Sequence, residues 1–153
     1  MRAVVQRVKS ARVEVDGAVI GAIDRGLLVY LGFGKGDTAD DRAWVLSKIA
    51  GLRVFEDAAG KMNLGLQDVG GALLLVSQFT LYGDVRRGRR PSFDDAMPPE
   101  QAAAEYEAAV QDARATGLRV ETGRFRADMQ VFSVNDGPVT LWIDSSARAP
   151  GAQ

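Results

Sequence analysis

The sequence predicts a single mixed α/β domain, mostly sheet, carrying two helices. Three observations predict it: short β-branched runs punctuated by glycine-containing turns, two segments whose apolar residues recur at helical spacing, and the lack of any linker or internal repeat along 153 residues. The domain is expected to span 1–146. The tail, 147–153, holds too little apolar content to pack and is expected to fray.

Each element has a local reason. Val4, Val8, Val13 and Val15 alternate with polar residues, and Asp16-Gly17 is a strong two-residue hairpin signal that sends a return strand along Ala18 to Ile23. Leu27 to Phe33 is apolar throughout, the pattern of a strand buried on both faces, and Gly34 and Gly36 end it. Asp37 is read as the N-cap of a first helix, with Asp40 and Asp41 at the positive end of its dipole and Gly51 as its stop. Val54-Phe55 reads as extended, Asp57 to Gly60 as a turn, and Asn63 to Gly71 as irregular. Leu73 to Leu81 is the most hydrophobic strand candidate, followed by a polar loop over 83–95. Pro98 and Pro99 open a second helix with an apolar stripe at Ala102, Tyr106, Ala109, Val110 and Ala113, stopped by Gly117. Strands are expected at Leu118 to Thr122, Met129 to Val134 and Val139 to Ile143.

Composition restricts the chemistry. The chain has no cysteine and no histidine, which removes disulfides, the usual zinc ligands, the thiol nucleophile and the imidazole base. Any proton transfer falls to carboxylates, hydroxyls, backbone groups, water or the substrate. Arg2, Arg7, Lys9 and Arg12 interrupt any apolar leader, and no apolar run approaches the roughly 20 residues needed to span a bilayer. A soluble cytoplasmic protein is expected. With 19 basic against 20 acidic residues, any contact with nucleic acid must come from a local patch rather than overall charge.

Three segments carry candidate chemistry. Ser77-Gln78-Phe79-Thr80-Leu81 ends the LLLV run. It reads either as plain in-out alternation or as a strand end offering hydroxyls and backbone N–H groups to a developing oxyanion. Asn135-Asp136-Gly137-Pro138-Val139-Thr140 is rich in turn formers and reads as a turn between two strands. Arg86, Arg87, Arg89 and Arg90 lie within five residues and read as a solvated loop or as a phosphate-binding patch. The glycines around Lys35 match neither a P-loop nor a dinucleotide fingerprint.

Taken together, SQFTL over 77–81 and the N-x-G-P-x-T pattern over 135–140 resemble the D-aminoacyl-tRNA deacylase family. The likeness starts at Met1-Arg2-Ala3-Val4-Val5-Gln6-Arg7-Val8, continues through Arg90-Pro91-Ser92-Phe93, and ends near Asp144-Ser145. The resemblance implies a β-barrel-like homodimer that hydrolyses the ester between a D-amino acid, or mischarged glycine, and tRNA, as proofreading of translation. It implies that Ser77, Gln78, Phe79 and Thr80 line the catalytic site. A cis Gly137-Pro138 from the partner subunit, flanked by Asn135 and Thr140, would reject L substrates, with Met129 near the pocket. The substrate's own ribose 2′-OH would assist attack, and the resemblance implies neither metal nor cofactor. Arg86, Arg87, Arg89 and Arg90 are a further inference as tRNA contacts. Gly123 to Met129 departs from the family pattern by placing Arg126 where a glycine is usual, which implies either backbone strain or an added positive group near the cleft. A non-catalytic tRNA-binding module and a hydrolase or isomerase of small molecules are the competing readings; the first would bind tRNA without releasing an amino acid, the second would turn over free esters.

Overall fold

One long strand organises the sheet in the computed structural model, which describes residues 1–149. This is β1, Arg2–Val15, and it pairs antiparallel with β2 (Ala18–Ile23) and β3 (Gly26–Gly32) along successive halves. Asp16 and Gly17 both take positive φ, as the Asp-Gly hairpin requires. From β3 the sheet continues in parallel to β6 (Ala72–Ser77) and then to β7 (Arg119–Thr122). The parallel links are possible because helices make the crossovers: α1 (Ala39–Gly51) lies between β3 and β6, and α2 (Pro99–Ala115) between β6 and β7. The backbone of Gly21 on β2 comes so close to Thr122 on β7 that a Cβ there would lie 2.4 Å from the Thr122 carbonyl. That approach nearly closes the sheet into a barrel. A small hairpin, β4 (Phe55–Glu56) with β5 (Met62–Leu64), stands apart, and β8 (Gln130–Asp144) pairs antiparallel with β1 along almost its whole length.

The core follows the apolar pattern. Leu27, Leu28, Val29 and Leu31 of β3 and Leu73, Leu74 and Leu75 of β6 are essentially inaccessible to solvent. Each such side chain contributes about 1.5–3 kcal/mol through burial. Val45 and Ile49 of α1 and Tyr106 and Ala109 of α2 pack against one side of this layer, and the Tyr106 hydroxyl donates to the Leu75 carbonyl at 2.8 Å. Burial pushes the Tyr106 phenol upward from its usual pKa.

Four sequence expectations need correction. The N-cap of α1 is Thr38, not Asp37: Thr38 and Asp41 form a reciprocal capping box, while Asp37 turns inward to accept from the Gly34 N–H at 2.6 Å and the Tyr82 hydroxyl at 3.1 Å. The strand expected over Leu73 to Leu81 stops at Ser77, and Phe79–Tyr82 forms a 3-10 turn. The two strands expected on either side of Asn135 to Pro138 are one, since β8 runs through them as a bulge. Asn63 and Leu64, expected to start an irregular stretch, belong instead to β5, which pairs with β4. The expected tail starts at the end of a short 3-10 turn, Ser145–Ala147, and 150–153 lie outside the described residues. No described helix is long and apolar enough to cross a membrane.

Candidate active site

A cavity of about 790 Å³ opens beyond the C-terminal end of β6. Ser77, Gln78 and Phe79 line one side of it, Met129 and Val131 another, and Phe93 and Met97 a third. The 3-10 turn exists here because β6 loses its strand partner. The Gln78 N–H donates to the Leu31 carbonyl at 2.7 Å, the last bond back to β3. The chain then turns, with Leu81 N–H reaching back to the Gln78 carbonyl and Gly83 N–H to that of Thr80. Glycines admit the turn to the core: a Cβ on Gly34 would lie 2.4 Å from the Tyr82 ring. The N–H groups of Phe79 and Thr80 open this turn, where no preceding turn supplies acceptors. Thr80 is exposed and its hydroxyl accepts from the Gln78 side-chain amide. Phe79 is 57% exposed, against the inward orientation that simple alternation would give it, and it meets Phe93 edge-on at 5.0 Å between ring centroids.

Arg2, not singled out in the sequence, braces the same turn. Its guanidinium donates to the Leu81 carbonyl at 3.0 Å and to the Asp144 carboxylate at 3.1 Å, and lies 4.3 Å over the Tyr82 ring. Tyr82, buried and beside Asp37, has its phenol pKa pushed well above the usual value, first by desolvation and then by the neighbouring carboxylate.

Asn135, Gly137, Pro138 and Thr140 are elsewhere; none of them lines the cavity. Opposite Arg7, the register of β8 against β1 jumps from Thr140, paired with Gln6, to Asn135, paired with Val8. Residues 136–139 therefore bow out of the ladder. The Gly137–Pro138 bond at the crest is cis, Gly137 has φ +125°, and both residues are exposed. The bulge is held from below. Arg7 is only 6% exposed; its Nε donates to the Asp136 carbonyl at 3.1 Å and its Nη1 to the Val54 carbonyl at 2.6 Å. Asn135 accepts from the Val139 N–H at 3.1 Å and donates to the Thr140 hydroxyl at 2.9 Å, while Gln6 donates to the same hydroxyl at 3.2 Å. Sequence reasoning missed Arg7. The signal was present, since Ala3, Val5 and Arg7 share the buried phase of β1, and an arginine there requires partners.

The arginine loop lies next to the cavity. An isolated bridge between Asp84 and Ser92 closes its base, and Phe93 continues into the cavity wall. Arg86 folds back on Asp84, at 2.7–3.0 Å, and its hydrogen bonds hold the Asp84 carboxyl down to about 2. Arg87, Arg89 and Arg90 are exposed and make no ion pair among the described residues.

A cavity with Ser77, Gln78 and Phe79 at the end of β6, Lys35 and Asp94 in its wall and an arginine-rich loop at its side is a ligand-sized candidate site; Thr80, next in the turn, is not among its lining residues. The comparisons give the particular family. A family model described as D-Tyr-tRNA(Tyr) deacylase matches residues 4–144. D-aminoacyl-tRNA deacylases of Anaeromyxobacter dehalogenans and Thermotoga petrophila are 64% and 59% identical, each over 95% of this chain and 97% and 98% of their own lengths. A solved structure described as a c-Myc DNA unwinding element binding protein superposes with a TM-score of 0.89 at 44% identity, over 94% of this chain and 98% of that one. A probable eukaryotic D-amino acid tRNA deacylase shares the fold at 18% identity, with a TM-score of 0.81 over 93% and 97% of the two chains. The chain belongs to the D-aminoacyl-tRNA deacylase family, hydrolases of the ester bond between amino acid and tRNA.

Proposed function

We propose that this chain proofreads translation in the cytoplasm as a homodimer, removing D-amino acids, and glycine from mischarged tRNA, at a site that each subunit completes for the other. The observation that carries this reading is the Gly137–Pro138 bulge: a main-chain crest fixed from beneath by a buried arginine, exposed, and away from its own chain's cavity. Such a crest suits insertion into a second copy. The apolar side chains exposed along the same strand, Phe132, Val134, Leu141 and Trp142, support burial of that strand in an interface.

In this reading the ester carbonyl sits against the turn at 77–80, where the N–H groups of Phe79 and Thr80 stabilise the oxyanion. The vicinal 2′-OH of the terminal ribose assists attack, which explains why no histidine is needed. Thr80 positions through its hydroxyl, and Ser77 and Gln78 hold the floor. The partner's Gly-Pro carbonyls hold the substrate amine. An L side chain would collide with that fixed main chain, whereas a D side chain points away and glycine has none. The free arginines at 87, 89 and 90, with Arg86, contact the tRNA backbone.

The test is release of D-tyrosine and L-tyrosine from their charged tRNAs, with and without the terminal 2′-OH. Fast release of the D form, abolished in the 2′-deoxy substrate, is expected. Comparable release of the L form would contradict the role of the cap, and binding of tRNA without any release would make the chain a non-catalytic tRNA-binding module.

A further inference from the structure

Arg126 holds a backbone conformation that disfavours it. Its φ is +61°, one of only two positive values at non-glycine residues among the described residues, and the other, Asp16, belongs to a hairpin turn that tolerates it. A side chain in this left-handed region costs roughly 1 kcal/mol, which glycine would avoid. Among the described residues nothing offsets this. The Arg126 guanidinium makes no ion pair or hydrogen bond among the described residues, and the residue is exposed. Strain of this kind points outward, toward a ligand.

The turn also puts Arg126 at the reaction end of the sheet. Gly123 N–H donates to the Leu75 carbonyl, the Ala127 N–H closes back on the Arg124 carbonyl, and the chain packs over Val76 through Gly123. Arg126 thereby joins the wall of the cavity that Ser77, Gln78 and Phe79 line. Lys35 is in the same wall, and Asp94 is its one carboxylate among the described residues. That carboxylate accepts a hydrogen bond from the Ser92 hydroxyl at 2.7 Å.

We infer that Arg126 is a phosphate clamp for the 3′-terminal strand of the substrate RNA; this rests on the aminoacyl-tRNA reading of the site. The electrostatics set the direction of the substrate. Its amino acid carries a positive α-amino group that Arg126 and Lys35 would repel, whereas the strand leading to the terminal nucleoside carries one phosphodiester per nucleotide. The aminoacyl end therefore lies at the 77–80 turn, and the phosphodiester chain leaves the cavity past Arg126, whose planar fork suits phosphate oxygens.

The experiment compares two esters of the same D-amino acid, one on tRNA and one on adenosine, which lacks the phosphodiester chain. Glycine adopts φ +61° freely, so Arg126→Gly should melt no lower than the parent, and Arg126→Asn keeps a side chain that tolerates the same region. In both variants the ratio of kcat/KM for the tRNA ester to that for the adenosine ester should fall about tenfold, the scale of one charged hydrogen bond. Most of that fall should appear in KM, and the salt slope of tRNA binding should shrink by about 0.7. Arg126→Lys should recover much of the ratio. An unchanged ratio with an unchanged salt slope would overturn the clamp. If the parent protein hydrolysed neither ester, the reading of the site itself would fall, and the clamp with it.

Discussion

The turn at 77–82 and the bulge at 135–140 are the two polar interruptions of the sheet, and the molecule treats them in opposite ways. The turn is tied into the core by the Gln78 N–H bond to the Leu31 carbonyl and by the packing of Tyr82 against Gly34, and its first residues line a cavity. The bulge has lost its ladder bonds and depends on side chains instead, with Arg7, Asn135 and Gln6 holding it while its crest stays exposed. One region borders a cavity, while the other stands exposed and away from it. The contrast teaches that exposed main chain can be fixed in two ways, by bonds and packing into the core or by side chains that hold it from beneath.

The largest expected effect of breaking that contrast comes from the prop. Arg7→Ala leaves the carbonyls of Asp136 and Val54 without their buried donor and should cost about 3 kcal/mol. Urea unfolding would show this as a lower midpoint at unchanged slope; a loss well under 1 kcal/mol would mean that the bulge holds itself. Gly137→Ala comes next. At φ +125° its Cβ would lie 2.9 Å from both the Arg7 Nη2 and the Val139 Cγ2, so the crest must shift. The D-over-L ratio of kcat/KM should narrow, by up to about 100-fold if the displacement approaches 1 Å, while an unaltered ratio would free the crest of any role in selectivity. A smaller effect belongs to the loop beside the floor. Arg87→Ala with Arg89→Ala should reduce the salt slope of tRNA binding by about 1.4, two single-strand phosphate contacts, and an unaltered slope would return the loop to simple solvation.

The smallest effect is on pH. Hydrogen bonds from Arg86 depress the Asp84 carboxyl to about 2, so the Arg86–Asp84 ion pair within the loop is complete above the ordinary carboxylate value of about 4. It is lost as pH falls through about 2. An NMR titration of Asp84 should find that midpoint, and Arg86→Ala should raise it toward the ordinary value.

Much of the fold was legible in the sequence because its signals are local. The Asp16-Gly17 hairpin, the doubly buried run at Leu27 to Phe33 and the stripe from Ala102 to Ala113 each follow from residues close in the chain. Failures came where distant contacts decide. Phe79 and Leu81 continue the alternation of a strand, and only the end of pairing with β3 and the docking of Tyr82 beside Gly34 bend them into a turn. Asp37 is a good N-cap by type, yet Tyr82 and the Gly34 N–H claim its carboxylate, and Thr38 caps with Asp41 instead. The segments 77–81 and 135–140 were visible as motifs. That they stand apart in one chain, and that Arg7 and Arg2 brace them, required the register of β1 against β8 and the packing at its end.

The proposed shared site is tested most directly by subunit complementation. Phe79→Pro removes a floor N–H at a position where proline is tolerated, and Gly137→Val blocks the crest; each homodimer should be inactive toward D-tyrosyl-tRNA. Unfolded and refolded together in equal amounts, the two should regain about one quarter of the parental activity, because half the dimers are mixed and each mixed dimer holds one intact site of two. Recovery near that level is the result predicted here. No recovery from a mixture whose heterodimers are verified would contradict it and place floor and crest in the same chain.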